Sequence, residues 1–348
     1  SAIFGGWIAN NSDEQLCFLP LCHILERDVS VYFPLAARCT VNFAESPETV
    51  FSNLQEVSPS TFTAVPRVWE KIHAQVQILA QDAPPLGRMA YGLALKAGAR
   101  RAEYVSSGKP VPAAIAARFW FWDQLVLKNL RRMLGLDKLR RGGTGAAPIS
   151  ADLLKWYWAI GVPIVEGFGM TETSGLATLN TVESNKIGTI GKVVPGCDIR
   201  ISDEGEIQLK GMNIFQGYWR NNAKTAGSFT ADGWLRTGDM GRIDKDGFVT
   251  ITGRLKDIII TAGGKNITPA EIESRLKFSH YISDAVIIGD RRKYRTALIM
   301  IDQENVEKYA QDQKIPFSNF ASLCAAAEVR ELIGAEVAAV NKEFARVE

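Results

Sequence analysis

The segment between Lys138 and Thr181 constrains the fold more than any other part of the chain. It reads as a strand, a glycine-rich turn, a helix, the strand Val162 to Val165, and a second glycine-containing turn. That order is a βαβ unit, which demands a parallel sheet and places ligands at the carboxyl ends of its strands. Upstream, short apolar runs such as Leu16-Cys17-Phe18-Leu19-Pro20 and Val29-Ser30-Val31-Tyr32-Phe33 predict strands and short helices of the same α/β layer. From about Val68 to Leu136 the pattern is helical and includes the aromatic cluster Phe119, Trp120, Phe121 and Trp122. That cluster is read as core, because aromatic side chains bury large areas; contact with a membrane or an acyl chain is the other reading.

Between Ile187 and Thr252 the texture changes to short strands broken by glycines, among them Cys197 to Ile201, Glu206 to Leu209 and Phe248 to Thr252. This predicts a small β subdomain over about 187–252. After Gly253-Arg254-Leu255-Lys256-Asp257 a new strand–glycine–helix–strand order runs to the terminus. The expected fold is therefore α/β, with a large domain of parallel layers over 1–255 and a small α+β domain over 256–348, the boundary lying near Lys256. At 348 residues and 46% hydrophobic side chains the chain can bury more than one core.

Forty basic against thirty-eight acidic residues leave a net charge of +2, too little for a nucleic-acid surface or a strongly basic membrane face. The five cysteines (Cys17, Cys22, Cys39, Cys197 and Cys324) include no CxxC pair, which disfavours a zinc knuckle and a disulfide framework and fits a reducing, cytoplasmic compartment. No apolar run reaches the roughly 18 residues of a membrane span, and the first residues lack the basic-then-apolar order of a signal peptide. Peripheral membrane contact and the oligomeric state stay open. The chain starts at Ser1 and stops at Glu348 within an expected helix, so truncation at both ends is the expectation.

The chemistry concentrates in Glu166-Gly167-Phe168-Gly169-Met170-Thr171-Glu172-Thr173, directly after a strand. The two glycines are read as letting the backbone approach a ligand. Thr171 offers a hydroxyl and Glu172 a carboxylate able to hold a hard cation such as Mg2+, so a phosphate with Mg2+ is the guest this pattern suits. About twenty residues earlier, Gly142-Gly143-Thr144-Gly145-Ala146-Ala147-Pro148 leaves room for a flat ring, which Phe168 could cover from the other side. Gly-x-Gly-x-x-Gly is not matched there, so a dinucleotide fingerprint is excluded. Further on, Asp239 ends the run from Asp232, and could accept hydrogen bonds from two ribose hydroxyls, with Arg254 reaching the same sugar or a phosphate. Gly263-Gly264-Lys265 leads into a helix started by Pro269. Taken singly, each segment is also what a tight turn, a surface ion pair or a helix entry looks like.

Together and in this order, the segments resemble the adenylate-forming superfamily of acyl-CoA synthetases, aryl-CoA ligases, luciferases and peptide-synthetase adenylation domains. Leu19-Pro20-Leu21-Cys22-His23-Ile24-Leu25-Glu26-Arg27 and Ala64-Val65-Pro66-Arg67-Val68-Trp69-Glu70-Lys71 resemble the long-chain acyl-CoA synthetase branch. The resemblance implies an enzyme that joins a long-chain fatty acid to coenzyme A through an acyl-adenylate, with ATP, Mg2+ and coenzyme A as its small molecules. It implies that Thr171 contacts the α-phosphate, Glu172 holds Mg2+, and Asp239 and Arg254 bind ribose. Gly145, Ala146 and Ala147 with Phe168 and Gly169 would frame adenine, Phe168 standing where the family usually has tyrosine. His23 would lie near the acyl and pantetheine passage, Lys256 at the hinge of a mobile C-terminal domain, and Gly263 and Gly264 beside the pantetheine arm.

Two alternatives remain at this level: a fatty acyl-AMP ligase that loads a carrier protein, and a non-catalytic nucleotide-binding module. Arg254 and Gly263 are separated by eight residues, leaving no room for the insertion that such ligases tend to carry, which favours CoA. The phosphate loop expected upstream and the lysine expected near the family's C-terminus are not found, so this chain alone is expected to be inactive.

Overall fold

The structure is a computed structural model that describes residues 11–257, 259–260, 266–290 and 294–344. Its internal contacts define two compact units, Ser1–Trp69 with Ala83–Ile251, and Glu70–Asp82 with Thr252–Glu348.

The first unit is built on a seven-stranded sheet of β1 (Glu14–Cys17), β2 (Thr40–Phe43), β3 (Thr61–Ala64), β4 (Arg141–Thr144), β5 (Ile164–Met170), β6 (Gly175–Leu179) and β7 (Lys192–Val193), in the order β2-β1-β3-β4-β5-β6-β7. β1 to β5 run parallel and β6 and β7 antiparallel. The βαβ unit expected between Lys138 and Thr181 is β4, the helix Ala151–Ala159 and β5. Its core is fixed by aromatics whose polar ends find partners. Trp69, fully buried, donates its indole N–H to the Gly143 carbonyl (3.2 Å), and the Tyr157 hydroxyl donates to the Trp69 carbonyl (2.6 Å). Phe62 and Tyr157 both meet Trp69 edge-on. Truncating Trp69 to alanine would cost about 3–5 kcal/mol.

Two readings of the sequence need correction here. Glu166 to Met170 is not a turn but the second half of β5, paired antiparallel with β6. Gly169 is required by that pairing, since a Cβ there would stand 1.6 Å from the Gly175 carbonyl oxygen. The aromatic cluster is not uniformly core either: Trp120 is 64% and Phe121 53% exposed. In the helix Ala113–Trp122 these two share the outward side, while Phe119 and Trp122 are half-buried.

The β subdomain is a four-stranded sheet of β8 (Cys197–Ile201), β9 (Glu206–Gly211), β10 (Leu235–Ile243) and β11 (Val249–Arg254), in the order β11-β10-β9-β8. Ile207 and Leu209 of β9 turn onto Ala177, Ile190 and Val194, while Glu206 and Gln208 between them are buried on the opposite face.

The second unit is α+β. After the two-residue strands β12 (Ile259–Ile260) and β13 (Asn266–Ile267), β14 (Ile282–Ile288) and β15 (Thr296–Ile301) form an antiparallel pair against the helix Pro269–Leu276, and the helices Gln303–Asp312 and Ala327–Asn341 complete it. Glu70–Asp82 of the helix Pro66–Asp82 packs here: His73 stacks on Phe278 with ring centroids 5.5 Å apart, and Asp82 pairs with Lys308 at 2.8 Å. Burial pushes the His73 imidazole down to about 4. Among the described residues no helix is long and apolar enough to cross a membrane.

Candidate active site

The carboxyl ends of β4 and β5 bring the two glycine-rich motifs together. Gly145, just past β4, is buried against β5, where its Cβ would lie 3.0 Å from the Gly167 carbonyl oxygen. Ala146 and Ala147 then turn outward and are exposed. Ala146 has φ 67°, a left-handed conformation that is strained for alanine and that turns the loop back towards Ser150. Ser150 caps the helix Ala151–Ala159 by accepting from the Asp152 N–H at 3.3 Å.

At the end of β5 the chain makes a single 3-10 turn, Thr171–Thr173, passes through Ser174 at φ 51°, and returns as β6. Thr173 pins this turn. Fully buried, its hydroxyl accepts from the Met170 N–H (3.0 Å) and donates to the Gly175 carbonyl (2.8 Å). Thr171 is thereby left exposed at the tip and Glu172 half-buried beside it. Glu172 is held by the β subdomain: its Oε1 accepts the Tyr218 hydroxyl at 2.7 Å, and its carbonyl accepts the Phe215 N–H at 2.8 Å. The carboxylate in turn holds the phenol proton, so the Tyr218 pKa is raised. Lys224 lies 4.0 Å from the Tyr218 ring centroid, and the Thr225 hydroxyl accepts the Tyr218 N–H at 2.9 Å. Tyr218 escaped the sequence reading because Gly217-Tyr218-Trp219 bears no charged partner in the chain around Glu172; only the fold joins them.

Phe168 is half-buried and packs against the subdomain core that includes Ala177 and Ile207. Glu166, two residues before it, is a second group that the sequence reading left without a role. It pairs in register with Thr144 of β4, so both side chains project on one face of the sheet. Protein surrounds the Glu166 carboxyl closely enough to push its pKa up to about 8, although solvent still touches the residue. The Thr144 hydroxyl oxygen is buried and has no hydrogen-bond partner among the described residues.

Asp239 is also placed by an irregularity. The β9–β10 register shifts between Arg236 and Met240, and Gly238 takes φ 73°, which re-aims the strand. Asp239 is 6% exposed and its N–H donates to the Thr237 hydroxyl at 3.1 Å, while the Gly238 N–H donates to Glu206 Oε1 at 2.9 Å. His23 caps the short helix Ile24–Arg27, its Nδ1 accepting the Leu25 N–H at 3.2 Å, which leaves Nε2 as the protonated nitrogen. Beneath it the buried Glu26 accepts the Leu19 N–H and the Ser30 hydroxyl. Arg254 and Lys256 are exposed residues of the second unit, and Gly263 and Gly264 lie outside the described residues.

Thr171, Glu172, Gly145 to Ala147, Phe168, Gly169 and Asp239 thus all belong to the first unit, most of them on two adjacent strand ends. A family model described as AMP-binding enzyme matches residues 2–219, and one described as AMP-binding enzyme C-terminal domain matches residues 256–343. The chain belongs to the AMP-binding enzyme family. It is 39% identical over 304 residues to the long-chain-fatty-acid–CoA ligase FadD15 of Mycobacterium tuberculosis, covering 87% of this chain and 50% of the relative. It is 36% identical over 338 residues to the putative fatty-acid–CoA ligase fadD11 of the same organism, covering 97% and 59%. The chain spans about half the length of the curated relatives it matches. Among solved structures, the A domain of a carboxylic acid reductase from Segniliparus rugosus, in complex with AMP and a co-purified carboxylic acid, superposes with a TM-score of 0.70. That match is at 19% identity and covers 100% of this chain and 50% of the other. ATP-bound MatB from Rhodopseudomonas palustris gives 0.61 at 24% identity, covering 92% and 54%. These likenesses establish the adenylate-forming fold.

Proposed function

We propose that this chain carries the nucleotide half of the active site of an AMP-forming long-chain fatty acid:CoA ligase. The observation that carries the reading is the Thr171–Glu172 turn, held by Thr173 and Tyr218 at the ends of parallel strands, in a chain 36–39% identical to proteins named as fatty-acid–CoA ligases.

In this reading Thr171 meets the α-phosphate, and Gly145, Ala146 and Ala147 with Phe168 and Gly169 frame adenine. Asp239 and Arg254 take the ribose. His23 borders the acyl and pantetheine passage, Lys256 is the hinge residue, and Gly263 and Gly264 border the pantetheine arm. Among the described residues no cluster of three or more acidic, histidine or cysteine side chains could cage a metal. One carboxylate with one oxygen committed to a phenol suits Mg2+ that arrives on the nucleotide phosphates, since Mg2+ keeps most of its shell and takes one or two carboxylates. When bound, that ion would neutralise charge on the transferred phosphoryl group. The chain's own contribution is to orient: the turn fixes one hydroxyl and one carboxylate before substrate arrives, which is positional and electrostatic catalysis.

ATP-dependent thioester formation by the full-length protein, with fatty acids of graded length and CoA, is the test. Acyl-CoA as product supports the reading. Accumulation of acyl-adenylate without CoA transfer would instead support a carrier-loading ligase, and nucleotide binding without turnover a non-catalytic module.

A further inference from the structure

Within the first unit, residues Ala113 to Met133 form one continuous helical run, with a π turn at Asp123–Leu127. One side of it is anchored. Leu127 is fully buried, Phe119 lies under the Arg101 guanidinium at 4.5 Å, and Arg131 bonds both Asp123 and the Ile160 carbonyl at 2.7 Å. The opposite side is apolar and faces water. Trp120, Phe121 and Leu125 are 64%, 53% and 56% exposed, with exposed Ala116 and Ala117 one turn earlier. Between Ala113 and Leu125 the exposed polar residues are Arg118 and Gln124 alone.

The stretch of chain that carries this face is also strongly basic. From Pro85 to Met133 the chain has nine Lys or Arg and two Asp or Glu, a net +7 in a protein whose total is +2. Both acids are taken up by arginines of the same stretch, Glu103 by Arg100 and Asp123 by Arg131. Arg88, Lys96, Lys109 and Arg118 remain at the surface, as does Arg132, which lies 4.0 Å from Asp137. An exposed apolar patch rimmed by polar groups marks an interaction site. A second copy would bring +7 against +7, and a nucleic acid would answer the charge but leave the indole and phenyl rings in water.

We infer that this face docks on an anionic lipid surface. Trp120 and Phe121 enter the boundary between headgroups and acyl chains, where aromatic rings on amphipathic helices settle. The basic side chains of the stretch meet the lipid phosphates, an attraction that salt screens.

Vesicle co-sedimentation of the full-length protein tests this, using phosphatidylcholine with and without phosphatidylglycerol. Binding should require phosphatidylglycerol and weaken as salt rises. The double variant Trp120→Ser/Phe121→Ser should reduce partitioning about tenfold or more while its thermal midpoint and nucleotide binding match the wild type. Arg118→Glu with Arg132→Glu should reduce it on anionic vesicles. The proposal is overturned if wild type ignores both vesicle types, if the serine variant binds as wild type does, or if neutral vesicles are bound equally well. It is also overturned if the wild type is a dimer that the serine variant dissociates, or if the serine variant destabilises the full-length protein, which would mean another part of the chain covers the face. None of these readouts depends on ligase activity, so a failure of the functional reading leaves them intact.

Discussion

Glu172 and Glu166 stand on the same strand and its closing turn, six residues apart, and the fold treats them in opposite ways. Glu172 sits where a phenol from the loop after β9 donates to it, with Thr171 exposed beside it. Glu166 lies further back, has no side-chain hydrogen bond among the described residues, and is raised to about 8 by the protein around it, so near neutral pH it is largely a neutral acid. Two identical side chains thus offer different chemistry: one a carboxylate suited to a cation, the other a carboxylic acid able to donate a hydrogen bond. What separates them is the close burial of Glu166 and the Tyr218 donor that reaches Glu172.

The harshest test of this contrast is Glu172→Gln, which removes a charge at nearly constant volume. Adenylate formation by the full-length protein should fall about a hundredfold, most steeply at limiting Mg2+, while the thermal midpoint barely moves. An unchanged rate at low Mg2+ would take Glu172 out of the site.

Tyr218→Phe asks whether the donor is what distinguishes the two acids. Losing one hydrogen bond to a charged group is worth about 1.5–3 kcal/mol, so a loss of about tenfold to a hundredfold in kcat/KM is expected, with an increased Mg2+ requirement. If rate and Mg2+ dependence both match wild type, the phenol merely neighbours the carboxylate.

For Glu166 the readout is stability against pH. Its folded pKa exceeds the unfolded value, so between about 4.5 and 8 the native state holds a proton that the unfolded chain has released, and stability falls as pH rises through that window. Glu166→Gln should flatten this slope and be the more stable protein at pH 8, by about 1–3 kcal/mol. Parallel denaturation curves at pH 5 and pH 8 for the two proteins would contradict a raised pKa.

The smallest effect belongs to Thr144→Val. A buried hydroxyl with no hydrogen-bond partner among the described residues carries a desolvation cost, so its replacement by a methyl should not lower stability and should raise it by about 1 kcal/mol. Weaker binding of AMP or a non-hydrolysable acyl-adenylate analogue at unchanged stability would show that the hydroxyl faces the ligand.

The sequence by itself determined the βαβ core and the β subdomain, because period-two apolar strands and punctuating glycines are local signals that a parallel sheet and short hairpins must show. It also brought Glu172, Thr171, Asp239 and the Gly145 to Ala147 loop forward as candidates, since those residue types near strand ends suit phosphate, cation and sugar. Only the tertiary structure decided that Gly169 must be a glycine for β5 to pair with β6, that Trp120 and Phe121 face water, and that Tyr218 reaches Glu172 across 46 positions of sequence. Glu70–Asp82 joining the second unit is of the same kind. The physical reason is common to all of these: periodicity and composition report which side of an element is apolar, whereas burial and hydrogen-bond partners depend on which distant segment arrives at that side. A pattern in one stretch of chain carries no record of that arrival.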